Sequence, residues 1–182
     1  MTDDQAKAQL TQLWLDHKAS VEAFVWRRCA EDIDDVVQQV FMTAWRRLDD
    51  VPDEPRAWLL TVARNTLLNQ RRAARRRKAL AVRVSSAVDV TADHDSPTDN
   101  DHSKLCQAWA ELSDPEREIL ALTAWDGLTT AETAQVLGIA RPACAMRLTR
   151  ARRHLHALLT TTEPPLSEEP APPPSGGDHH ES

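Results

Sequence analysis

The chain has 182 residues, 41% of them hydrophobic, enough for one ordinary domain or two small ones. With only 4 glycines and no β-branched alternation, the expected fold class is all-α. No apolar run nears the length of a membrane span and no signal-peptide pattern opens the chain, so neither membrane insertion nor export is expected and the protein is placed in the cytoplasm.

The formal net charge of −6 conceals blocks of one sign. Residues 31–54 hold eight acids and two arginines, and 56–83 hold nine Lys or Arg and no acid. Residues 84–102 hold five Asp and no base, and the stretch from Glu163 onward holds five acids and no base. Such blocks imply separate surfaces for separate partners.

In chain order, residues 1–7 are polar and expected to fray. A first helix is expected from Leu10, with Leu10, Leu13, Trp14, His17, Val21, Phe24, Val25 and Arg28 at three- and four-residue spacing. His17 has no second ligand near it and reads as a packed or surface histidine. Asp32 is placed to cap a second helix, whose N-terminal partial charge favours the neighbouring carboxylates. That helix is expected to bury Val36, Val40, Phe41, Ala44, Trp45 and Leu48, and to show Asp34, Asp35, Gln38, Gln39 and Arg46 on its other face.

Residues 49–55 form a loop, with Pro55 expected in the first turn of a third helix. Its apolar side is Trp58, Leu59, Val62, Ala63, Leu67 and Leu68, with Trp58 read as core. Its polar side carries Arg56, Arg64, Asn65, Asn69, Arg71 and Arg72, and continues into Arg75, Arg76, Arg77 and Lys78. A solvated helix end facing its own dipole accounts for two or three cations, not for nine. Neutralised phosphates account for them better, each adding about 0.9 to the salt slope on duplex DNA and about 0.7 on single strands.

Residues 84–103 are polar and aperiodic, and read as a flexible linker. A second helical unit then starts at Lys104, with Leu105, Ala108, Trp109 and Leu112 on one face. Ser113 and Glu116 form a capping box that opens a helix at Asp114, continued by Ile119, Leu120 and Thr123, and Asp126-Gly127 makes a turn. Thr129 and Glu132 form another box, Ala131, Ala134 and Leu137 follow at helical spacing, and Gly138 ends that helix. Pro142 suits the first turn of the last helix, which carries Arg141, Arg147, Arg150, Arg152 and Arg153 with no acid from Arg141 to Leu159. A helix–turn–helix with a basic second helix fits the DNA major groove, and a helical hairpin with a solvated basic face shares the pattern. The remainder, with six prolines, reads as a disordered acidic tail. The resulting division is 8–80, 81–103, 104–160 and 161–182: two small helical domains, a linker between them and a tail.

Cys29, Cys106 and Cys144 fit neither a disulfide framework nor a zinc site, and each is expected as a small buried or half-buried hydrophobe. The sequence has no Gly-rich phosphate loop, His-Glu-x-x-His or nucleophile elbow, so no catalytic residue, metal or cofactor is expected.

Taken together, AspAspValValGlnGlnValPheMetThrAlaTrpArg (34–46), ProArgAlaTrpLeuLeuThrValAlaArgAsn (55–65), LeuSerAspProGluArgGluIleLeu (112–120), AlaGluThrAlaGlnValLeuGlyIle (131–139) and ArgLeuThrArgAlaArgArgHisLeu (147–155) resemble the extracytoplasmic-function sigma factors of bacterial RNA polymerase. The resemblance implies core RNA polymerase and promoter DNA as partners, and for many relatives an anti-sigma factor. It implies that Asp34, Asp35, Gln38 and Gln39 dock on the polymerase. It also implies that Asn65 faces a flipped base of the minus-ten element, while Arg56, Arg64, Arg71, Arg72, Arg75 and Arg76 serve the DNA there. Arg141, Arg147, Arg150 and Arg152 would serve the minus-thirty-five element, although Arg147 is equally suited to a structural ion pair with the preceding helix. In the family the recognition helix usually opens with Gly-Thr and, one residue on, a basic residue and Ser; here Pro142-Ala143 and Ala145-Met146 stand there. An altered or weaker upstream motif is expected, since an apolar residue cannot make a bidentate pair with guanine. The linker of the family threads the RNA exit channel of the polymerase, and the five Asp of 84–102 suit a basic channel as well as they suit a soluble spacer. The helix–turn–helix alone also resembles LuxR-type response regulators, so the alternative function is a stand-alone helix–turn–helix regulator.

Overall fold

The computed structural model describes residues 2–29, 32–82 and 100–161. Among them are seven α-helices and one 3-10 turn, and no strand. The elements are α1 (Asp3–Trp26), α2 (Ile33–Arg46), the 3-10 turn (Leu48–Asp50), α3 (Arg56–Val82), α4 (Asn100–Glu111), α5 (Asp114–Ala124), α6 (Thr130–Leu137) and α7 (Arg141–Thr161). The expected all-α class and order of helices are present. The linker reading falls mostly on residues outside the described set, and the tail reading does so beyond Thr161.

Several local expectations are corrected. The first helix starts at Asp3, because the Thr2 hydroxyl and the Gln5 side chain form a capping box that fixes the turn expected to fray. Asp32 precedes α2 in the left-handed conformation, φ 60°, and its side chain makes no capping bond. Pro55 stands just before α3 rather than inside it, its carbonyl accepting from the Leu59 N–H at 2.8 Å. α4 begins at Asn100, four residues earlier than expected, and Leu105 is exposed rather than packed. Ala131 is exposed, and α6 buries Thr133, Ala134 and Val136 instead. Cys106 is exposed, while Cys29 is half-buried and Cys144 buried.

α1, α2 and α3 pack around Val21, Phe24, Val25, Val36, Val40, Phe41, Leu59, Leu60 and Ala63. A second cluster joins Leu112, Ile119 and Leu120 to Ala134, Cys144, Leu148 and Ala151. The two units are not separate cores. Leu122, Leu128 and Val136, contributed by the second unit, belong to the first cluster, and α6 packs on α3. Each such side chain is worth roughly 1.5–3 kcal/mol buried rather than exposed, so apolar contact holds the units together more than any surface charge pair.

Candidate nucleic-acid interface

The helix–turn–helix is built as its residues dictate. The Thr129 hydroxyl accepts from the Glu132 N–H at 3.2 Å, and the Glu132 carboxylate accepts from the Thr129 N–H at 2.8 Å. Partial burial works to raise the Glu132 pKa, but the bonds from Thr129 and the charge of Arg56 lower it below the usual glutamate value. Gly138 sits at φ 65°, ψ 36°, a left-handed cap that Gly reaches without strain. Ile139 N–H then returns to the Ala134 carbonyl at 3.0 Å, and α7 starts three residues after Gly138.

α7 buries Cys144, Leu148 and Ala151, one position per turn, against the second cluster. Burial raises the pKa of the Cys144 thiol, which suits packing rather than reactivity. The same periodicity turns Arg141, Arg147, Arg150, Arg152 and Arg153 outward, with Ala145 and Met146 among them. The side chains of these five arginines make no hydrogen bond or ion pair within the described residues, so the structural ion pair considered for Arg147 is absent there. His154 fixes α7 to α5 instead: its Nδ1 lies 2.9 Å from the Glu116 carboxylate. That carboxylate also accepts from the Ser113 hydroxyl at 2.6 Å and the Ser113 N–H at 2.9 Å. These bonds hold the Glu116 pKa down to about 2.

The polar residues assigned to the DNA-facing side of α3 differ in exposure. Asn65, Arg71, Arg72, Arg75 and Arg76 are exposed. Arg56 and Arg64 are half-buried and turned toward the second unit. The Arg64 guanidinium donates twice to the Glu118 carboxylate, at 2.7 and 3.0 Å, and Arg56 donates to the Asp126 carbonyl and, at 3.3 Å, to Ser20 Oγ. Arg71 donates to the Arg28 carbonyl at 2.8 Å. Asp34, Asp35, Gln38 and Gln39 share one exposed face of α2, as the sequence pattern requires.

Asp126 was legible only as a turn residue. Its side chain is 1% exposed and receives the guanidiniums of Arg27 and, at 2.6 Å, Arg28. The Asp126-Gly127 turn therefore seats in a socket of three arginines, Arg27, Arg28 and Arg56. The available signal was an Asp-Gly turn followed by Leu128 in one unit and an adjacent arginine pair at a helix end in the other; nothing local couples them. Among the described residues no group of three or more His, Cys, Asp or Glu could hold a metal, and no helix is long and apolar enough to cross a membrane.

Comparison with known proteins follows the same division. Residues 13–77 match sigma-70 region 2 and residues 104–155 match sigma-70, region 4. The chain is 35% identical over 140 residues to the RNA polymerase sigma factor CnrH of Cupriavidus metallidurans, covering 70% of this chain and 73% of that protein. It is 32% identical over 167 residues to the ECF RNA polymerase sigma factor SigL of Mycobacterium tuberculosis, covering 85% and 91%. Its fold is similar to that of the sigma factor RpoE of Bartonella quintana, solved in complex with the anti-sigma factor NepR, with a TM-score of 0.59, 25% identity and 84% and 98% of the two chains covered. A displayed basic helix closing a helix–turn–helix, a second basic helix beside an acidic one, and these relatives converge: the chain belongs to the extracytoplasmic-function sigma factors, which direct RNA polymerase to initiate transcription.

Proposed function

We propose that this sigma factor divides its work by surface, with residues 8–80 serving polymerase and the minus-ten element and 104–160 serving the minus-thirty-five element. Asp34, Asp35, Gln38 and Gln39 dock on core polymerase. Asn65 offers its amide to an unpaired base, and Arg72, Arg75 and Arg76 hold the phosphates beside it. Arg141, Arg147, Arg150 and Arg152 carry α7 into the major groove, with Ala145 and Met146 limited to apolar contact such as a thymine methyl. The protein acts in the cytoplasm as a binding subunit without catalysis of its own. An anti-sigma factor is a natural partner, as NepR is for RpoE of Bartonella quintana.

The observation that carries this reading is the outward face of α7: five arginines displayed without partners among the described residues. The closed arrangement adds a requirement. By their names the two promoter elements lie roughly 25 base pairs apart, about 85 Å at 3.4 Å per base pair. Units that share one apolar cluster cannot occupy both on straight DNA. They separate for promoter binding, which also frees Arg56 and Arg64 for the minus-ten element.

Reconstituted transcription tests the reading: the full chain, core polymerase and a genomic fragment library, with transcripts sequenced. Start sites dependent on the protein, reduced by Asn65→Ala with core binding unchanged, are expected. Equal loss of core binding and open-complex formation in that variant would sink the role of Asn65. Strong sequence-specific DNA binding without polymerase would favour the stand-alone regulator.

A further inference from the structure

A cavity of about 600 Å³ lies between the two units, within the size range of small-molecule sites. Six arginines reach its wall: Arg27 and Arg28 beyond α1, Arg71, Arg72 and Arg75 from α3, and Arg117 from α5. Two acids, Asp114 and Glu118, line it with them, and Asp126 behind the wall holds Arg27 and Arg28, so six arginines face three acids, a formal surplus of three positive charges. Both lining acids are engaged, Asp114 by Arg117 at 2.6 Å and Glu118 by Arg64 at 2.7 Å. Arg72 and Arg75 make no hydrogen bond or ion pair within the described residues. Like charges around one cavity repel, and a bound anion relieves that repulsion.

The rest of the wall supplies an aromatic platform. The rings of Trp109 and Trp125 meet with centroids 4.6 Å apart, and Trp125 is 57% exposed. An exposed indole beside guanidiniums suits a planar ring joined to a chain of negative charge. Inorganic phosphate would leave the indole uncovered, and an uncharged aromatic would leave the arginines unpaired.

We propose that this cavity binds a nucleoside polyphosphate, its base stacked on Trp125 and its phosphates held by Arg71, Arg72 and Arg75. Its walls come from both units, so the ligand stabilises the closed arrangement over the open one. The arginines of α3 then hold either nucleotide or promoter phosphates, not both. Only this regulatory consequence rests on the promoter reading above; binding itself is tested without polymerase or DNA.

The experiment is titration of the full chain, followed by tryptophan fluorescence, with guanosine triphosphate and with inorganic tripolyphosphate as the base-free probe. Saturable quenching by guanosine triphosphate is expected, with tripolyphosphate at least tenfold weaker. Arg72→Ala combined with Arg75→Ala should weaken nucleotide binding at least tenfold, and Trp125→Leu, read by isothermal calorimetry, should abolish the preference for the nucleotide. These side chains are exposed, and circular dichroism verifies that the variants fold. Glu118→Arg separates a cavity from a basic surface. On an isolated surface, exchanging an acid for a base would tighten binding; in a cavity that needs both units, losing the Arg64 partner loosens it. Absent or non-saturable quenching, equal affinity for tripolyphosphate, indifference to the α3 variants, or tighter binding by Glu118→Arg would each overturn the proposal. Specific transcription in reconstitution together with no nucleotide binding would remove the cavity site and leave the promoter reading standing.

Discussion

The arginines of α7 and those at the interface between the two units, from the end of α1 and from α3, are the same residue type in opposite physical states. Along α7 the buried positions Cys144, Leu148 and Ala151 use up the inner face, and every arginine of the set projects into solvent. At the interface, Arg28 is 14% exposed and Arg64 21% exposed, and each is bound to a carboxylate of the other unit. The first surface is ready for an anionic partner. The second already has one, supplied by its own chain. Under the function proposed above, acids on the second unit occupy cations that promoter phosphates would otherwise take, and closure would compete with DNA for Arg64 in particular.

This contrast breaks most directly at Asp126. Removing one partner from a buried ion pair leaves the others charged and desolvated. Asp126→Ala should therefore destabilise the protein by about 3 kcal/mol, read as a lowered urea midpoint, and enlarge the radius of gyration in solution scattering. An unchanged midpoint and unchanged dimensions would show that Leu122, Leu128 and Val136 hold the units without the arginine socket.

On the displayed surface the expectation reverses. Arg150→Ala should leave stability within about 0.5 kcal/mol, since the side chain touches nothing that folding needs. It should weaken upstream-element use by about tenfold, the scale of one base contact. Promoter choice unchanged in run-off transcription would remove Arg150 from the reading surface. For Arg64 and Glu118, a double-mutant cycle should give a coupling of about 1 kcal/mol, because the pair is two-pronged yet partly solvated. Zero coupling would mean that the two units do not meet this way in solution.

How much of this was legible in sequence follows from the range of the interactions. The capping boxes at Ser113 and Thr129 and the left-handed Gly138 are set by residues within a few positions of one another and appear where the pattern puts them; the burial stripe of α2 does so at Val36, Val40, Phe41 and Ala44, whereas Trp45 is only half-buried, Val37 is buried as well and Leu48 lies in the 3-10 turn beyond the helix. The exposed faces of α2 and α7 follow from the same periodicity. The interface was invisible because its partners lie far apart in sequence: Arg28 and Asp126 are 98 positions apart, Arg64 and Glu118 are 54. A run of nine bases looks uncompensated when read along the chain, yet Arg64 is paired with a carboxylate through space, and Arg56 and Arg71 are held by backbone carbonyls. Leu105 was misplaced for a related reason: periodicity gives the apolar face of α4, but not how much of that face a neighbour covers.

The smallest effect concerns how α7 is held for display. Glu116 closes the cap of α5 and accepts from His154 on α7, so one carboxylate joins the start of one helix to the body of another. Its pKa is held near 2, led by the bond from the Ser113 hydroxyl, against an ordinary value of 4.5. A carboxyl whose folded pKa is depressed contributes stability that is fully present above the unfolded value and disappears as pH falls through the folded one. The contribution of Glu116 should therefore be intact at pH 6 and decline from about pH 4.5 toward pH 2. Because the group lies near solvent, the loss should not exceed the roughly 1 kcal/mol of a helix cap. Glu116→Gln keeps a side-chain acceptor for Ser113 but removes the titrating charge. Its stability curve, measured by urea unfolding from pH 6 to pH 3, should fall less steeply than that of the parent chain. Parallel curves would assign the acid sensitivity of this unit to other carboxylates and leave Glu116 as a cap whose charge adds nothing.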